Sequence, residues 1–183
     1  MPARVNVYCR RSVLGVTASA LREEIASADL MTLAESLDLP EGEEAAVEAM
    51  WPHLRIDENL EIHWKPSGRA IQIDFVSGAE AGRHIARLID DSLPPAESAG
   101  ARRVLEHLAE CTEIAYLELG IDDSFHLGAT LAEVVAFYLA RQGDGLVHFY
   151  HREWASPEDR AETLWTTTSP AGAPSFTPSS GRS

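Results

Sequence analysis

Lysine is almost missing from this chain: Lys65 stands alone beside fourteen arginines, and these 15 basic side chains face 29 acidic ones. The resulting formal charge of −14 excludes nonspecific nucleic-acid binding, which needs a surplus of cations to meet the phosphates. It disfavours an anionic membrane surface for the same reason. The preference for arginine reads as GC-rich coding bias before bidentate recognition. Cysteine is nearly as scarce. Cys9 and Cys111 lie far apart in sequence, which leaves buried free thiols in a reducing compartment as the expectation and a single disulfide between them as the alternative, should the fold bring them together. No apolar run approaches the ~18 residues of a membrane span, and the opening MPARVNVYCRRS has no apolar core of about 7–15 residues, so a cytoplasmic protein is expected.

Signatures of chemistry are lacking too. There is no GxSxG around a serine, no HExxH or CxxC, and no GxGxxG or GxxxxGK[ST] among the glycines. No catalytic residue, cofactor or metal site is therefore expected. Of the seven histidines (His53, His63, His84, His107, His126, His148 and His151), only His148 and His151 are close in sequence, and on a strand they would point to opposite faces. Asp122 and Asp123 near Glu118 have the composition of a cation site, but capping of the helix that follows explains the same residues.

What is present is strong helix and strand patterning. Leu127, Leu131, Val134, Val135, Tyr138 and Leu139 form one stripe at helical spacing. Gly143-Asp144-Gly145 then breaks the period, with the glycines expected to supply positive φ, and Leu146–Tyr150 reads as a strand. Upstream, Val5, Val7 and Cys9 alternate as a first strand. Thr17 and Asp29 are expected to cap helices carrying Leu21 and Ile25, then Leu30, Leu33, Ala34 and Leu37, and a third helix is predicted over Glu43–Trp51. Leu60, Ile62 and Trp64 alternate, as do Ile71, Ile73 and Phe75, and Pro66-Ser67-Gly68 between them predicts a hairpin. Helices follow around Ile85–Ile89 and Ala101–Leu108, then a strand over Glu113–Leu119.

The order is β-ααα-ββ-αα-β-α-β. It predicts a single α+β domain over 1–165, built on a mixed, mostly antiparallel sheet of about five strands with helices mainly on one face. Residues 166–183, TTTSPAGAPSFTPSSGRS, are too poor in apolar groups to offset chain ordering and are expected to be a disordered tail.

Acid is distributed unevenly. Between Leu21 and Ile62 twelve acids face Arg22 and Arg55, a net charge of −10. A solvated helical surface accounts for this pattern; the functional reading is a face that steers and holds a basic protein partner, such as the nucleic-acid-binding cleft of a nuclease. The residues expected to form it are Glu41, Glu43, Glu44, Glu48, Asp57, Glu58, Glu61 and His63, with Asp122 and Asp123. The alternative is a small enzyme or ligand-binding protein with a pocket near His63, Trp64, His148 and Tyr150.

The opening VNVYCRRS, the run ADLMTLAESLDLPEGEEAAVEAMWPHLRI, the segments LEIHWKPSGRAIQIDF and YLELG, and the ending VVAFYLARQGDGLVHFYHREW together resemble small bacterial cytosolic proteins of the immunity type. Those are α+β proteins associated with polymorphic-toxin loci. The resemblance implies a noncatalytic protein that neutralises a cognate toxin by binding it, and it assigns no functional residues.

Overall fold

Alternation along Ala3–Cys9 sets two faces on one strand, and both are buried: Val5, Val7 and Cys9 point one way, Asn6 and Tyr8 the other. A strand buried on both sides must be central, with cover above and below. The computed structural model, which describes residues 3–30, 32, 43–93, 97–120 and 127–167, places it so. Strand β1 (Ala3–Cys9) sits inside a six-stranded sheet ordered β4-β5-β1-β6-β7-β8, whose other members are β4 (Gln72–Ser77), β5 (Glu113–Leu119), β6 (Gly145–Phe149), β7 (Glu153–Ser156) and β8 (Asp159–Thr166). Every pairing in it is antiparallel. A two-stranded ribbon, β2 (Arg55–Ile56) with β3 (Ile62–His63), stands apart.

The five helices among the described residues divide between the faces. On the first, α1 (Ala18–Ser27), α2 (Glu43–Met50) and α5 (Leu127–Gly143) close the larger core over Val5, Val7, Ala115, Leu117 and Val147. Most of α5 is buried around its whole circumference, so it is the central core helix and not a surface amphipath. Leu131, Val134, Val135 and Leu139 are all completely covered, each worth about 1.5–3 kcal/mol of burial. The greater share of helical cover thus lies on one face, but the second face is not bare. There α3 (Gly78–Ser92) and α4 (Ala99–Glu110) lay Ala81, Ile85, Val104 and Leu108 over Tyr8, Ile114, Leu146 and Trp154. The α+β class is as expected, with six strands in the main sheet instead of five and with antiparallel pairing throughout it instead of a mixed sheet.

Four sequence expectations change. The hairpin survives only as one rung in which Ile62 and Ile71 exchange backbone hydrogen bonds of 2.9 and 3.0 Å. From Gln72 onward the chain pairs with β5, setting Ile73 beside Leu117 and Phe75 beside Ala115, while Ile62 and His63 pair back to β2. Secondly, the glycines at 143 and 145 do not carry the positive φ of the turn. Asp144 does, at 48°, and the glycines serve close packing. A Cβ on Gly143 would stand 2.6 Å from the Cys9 sulfur, and one on Gly145 would stand 3.0 Å from the Tyr8 carbonyl oxygen. Thirdly, β7 and β8 extend the sheet beyond the expected last strand. Finally, Thr166 pairs with Glu153, and Thr167 is buried with its N–H donating to the Arg152 carbonyl at 2.7 Å, so both belong to the domain and not to a tail. Residues 168–183 lie outside the described residues, as do Leu33, Ala34 and Leu37 of the second expected helix. At its start, Asp29 does accept from the Thr32 backbone N–H at 3.2 Å, the capping contact foreseen for it.

Candidate functional site

The acid-rich stretch is anchored from below by its apolar residues. Val47 and Met50 of α2 and Leu54 after it are buried in the larger core. Helical periodicity then turns Glu48 outward, and Trp51, three positions on, follows it. Pro52 cannot continue the helix, and the chain turns into β2. The Arg22 guanidinium of α1 donates to the Leu54 carbonyl at 3.1 Å and ties this corner down. Trp51 remains 39 % exposed, one of few large apolar side chains left open among the described residues.

Between β2 and β3 the chain folds on Asp57. Its Oδ1 accepts the backbone N–H groups of Asn59 at 2.9 Å and Glu61 at 3.0 Å, and Leu60 takes the left-handed φ of 60° that this tight course requires. Glu61 Oε1 accepts from the Gln72 amide at 3.0 Å, and Glu61 Oε2 lies 3.7 Å from His63 Nε2. One potential ligand atom from each of Asp57, Glu61 and His63 falls within 4.8 Å of the others. Glu58 projects into solvent, and the trio itself is half-buried.

Part of the expected interface falls on described residues. Glu48 and Glu58 are exposed, and Asp57, Glu61 and His63 are half-buried. Glu41, Asp122 and Asp123 lie outside the described residues, as do the side chains of Glu43 and Glu44. Glu118, the third acid of the possible cation set, is committed elsewhere. Arg4 and Arg69 both bind its carboxylate, and these guanidinium contacts, Arg4 foremost, hold its pKa below the ordinary value. Glu24 is likewise paired, with Arg141. Sequence reasoning did not single out the exposed Trp51, although its position one helical turn beyond Glu48 and next to a helix-ending proline was a usable signal.

The residues of the alternative pocket are divided between the two faces of the sheet. Trp64 belongs to the larger core, whereas His148 lies on the opposite face of the sheet, stacked on Trp154 at 4.1 Å between centroids and 9° between planes. Trp64 and His148 are therefore separated by the sheet. Two surface depressions, one bounded by Ser12, Thr17, Tyr138 and Gln142 and the other by Arg11, Arg141, Asp144 and Glu158, include none of His63, Trp64, His148 and Tyr150.

His148 is unusual in its own right. Asn6, His148 and Trp154 are register neighbours across β1, β6 and β7, all three buried. Asn6 Oδ1, both His148 ring nitrogens and Trp154 Nε1 find no hydrogen-bond partner among the described residues. Burial, and secondarily the nearby His151, push the His148 pKa down to about 3, so the ring is neutral at physiological pH. Burial likewise pushes both thiols up, Cys9 and Cys111 each to about 12, which argues against nucleophilic cysteine chemistry near neutrality. No helix among the described residues is long and apolar enough to cross a membrane. Comparison of the chain with protein families, with curated proteins and with solved structures finds no match.

Proposed function

We propose that this chain is a noncatalytic binding protein whose acidic stretch captures a basic protein partner, with Trp51 as the apolar anchor. The observation that carries the reading is the exposure of Trp51, 39 %, within residues 43–63, where six acids face a single arginine for a net charge of −5. Exposed tryptophan is costly to leave in water, and it is among the side chains that contribute most when an interface closes over them. Surrounding like charge raises the encounter rate with a basic surface and excludes acidic ones. The resemblance to immunity-type proteins supplies the class of partner: a basic bacterial toxin domain, neutralised by occlusion.

The test is to purify the chain with the protein encoded by the neighbouring reading frame and measure their association across a salt series. Binding is expected to weaken steeply with salt. Reversal of Glu41, Glu43, Glu44 and Glu48 to Lys is expected to abolish co-purification, and Trp51→Ala to weaken it more than tenfold. Retention unchanged by the reversals would remove the acidic face from the account.

A further inference from the structure

We infer that Asp57, Glu61 and His63 form a binding site for one borderline divalent transition-metal ion, zinc being the reference case. Three different residues bring ligand atoms to within 4.8 Å of one another, and one of the three is an imidazole nitrogen. Zinc ligands of these types sit about 2.0–2.2 Å from the metal, so closure asks the side chains for shifts of roughly 1–1.5 Å. Side-chain exposures of 34 % for Glu61 and 24 % for His63 leave room for that movement and a route for the ion.

The Glu61 carboxylate is oriented from outside the trio. Gln72 donates its amide N–H to Glu61 Oε1 at 3.0 Å, and the same amide's oxygen accepts from Arg69 at 3.3 Å, which fixes which way the amide faces. Arg69 is itself held by Glu118 on β5. The orientation of Glu61 is therefore set by the main sheet, in the manner of the outer hydrogen bonds that position metal ligands. Asp57 engages Oδ1 with two backbone N–H groups and leaves Oδ2 to a ligand. The turn accounts for Asp57, but it does not account for Glu61 Oε2 and His63 Nε2 facing each other at 3.7 Å.

The donor set selects the ion. A nitrogen with two carboxylates suits zinc, manganese or nickel, whereas calcium and magnesium take oxygen donors almost exclusively. Three protein ligands leave at least one coordination position open. The inference concerns this cluster and does not rest on the identity of any protein partner.

The untagged full chain, stripped with EDTA, is titrated calorimetrically with zinc chloride and separately with magnesium chloride. Zinc is expected to bind one per chain, with magnesium at least a hundredfold weaker. His63→Gln and Glu61→Gln are each expected to weaken zinc at least tenfold while leaving the circular dichroism spectrum unchanged. A second readout needs no variant: zinc should protect His63 of the wild-type chain from diethyl pyrocarbonate, as mapped by peptide mass spectrometry. No saturable one-to-one binding, affinity unchanged in His63→Gln, equal affinity for magnesium, or His63 modified equally with and without zinc would each overturn the site.

Discussion

Acidification should destabilise this protein through His148, and replacing that residue should remove the effect. The ring is 1 % exposed, it is stacked on Trp154, and neither nitrogen has a hydrogen-bond partner among the described residues. In the unfolded chain it protonates around the ordinary value of 6.5, whereas in the fold it resists protonation down to about 3. The unfolded state therefore binds the extra proton throughout that window, and stability falls as pH drops from 6.5 toward 3, levelling off below. The loss from this one group is about 2 kcal/mol at pH 5 and about 3 kcal/mol at pH 4. Against a typical total of about 5–15 kcal/mol, that is enough to see clearly. The perturbation is His148→Phe, which keeps an aromatic ring to face Trp154 and removes the titratable nitrogens. Guanidinium midpoints followed by tryptophan fluorescence from pH 7.5 to 4 give the two stability curves. The wild type should fall more steeply than the variant, by about 2 kcal/mol at pH 5. At pH 7.5 the variant should be at least as stable, since leaving a buried polar atom unpaired costs about 1–3 kcal/mol. Parallel curves would refute the assignment of the acid sensitivity to this ring.

Other outcomes follow from packing and burial. Gly100→Ala places a methyl 1.7 Å from the Leu164 carbonyl oxygen, so α4 must move off β8; we expect a loss of about 2 kcal/mol or more, read from denaturant midpoints. The Cys9 thiol, fully covered and pushed up to about 12, should react with Ellman's reagent only after unfolding, and fast labelling in the native protein would contradict its burial beside Gly143. Trp51→Ala should leave thermal stability nearly unchanged while reducing partner affinity; a large fall in melting temperature would instead make Trp51 a structural residue.

Elements whose faces follow from local periodicity were legible in the chain. The run from Leu127 to Phe149 folds as a helix returning into a strand, and β1, β5 and α1 lie where alternation or helical spacing put them. Partners were less legible than faces. Alternation at Ile71, Ile73 and Phe75 shows which side chains turn inward but not which strand will lie alongside, and β4 meets β5, some forty residues away, instead of its neighbour in sequence. Strands β7 and β8 escaped notice because they are short or interrupted by irregular register, and their polar residues dilute the alternation. The metal-ligand trio was passed over for a related reason. The spacing of Asp57, Glu61 and His63 matches no familiar motif, and it becomes a cluster only because the turn on Asp57 folds the loop back while Gln72 aims Glu61.

The amino-acid order alone determined the surplus and location of negative charge, the scarcity of thiols, the α+β class and the identity of the core-facing residues, because each of these is a property of composition or of a repeat a few residues long. The tertiary structure decided that helices cover both faces of the sheet, that Trp51 is left in solvent, that His148 is sealed with no hydrogen-bond partner among the described residues and that three potential ligand atoms come together beside β3. Those depend on contacts between residues distant in sequence, whose pairing is set by the packing of the whole domain and by no local pattern.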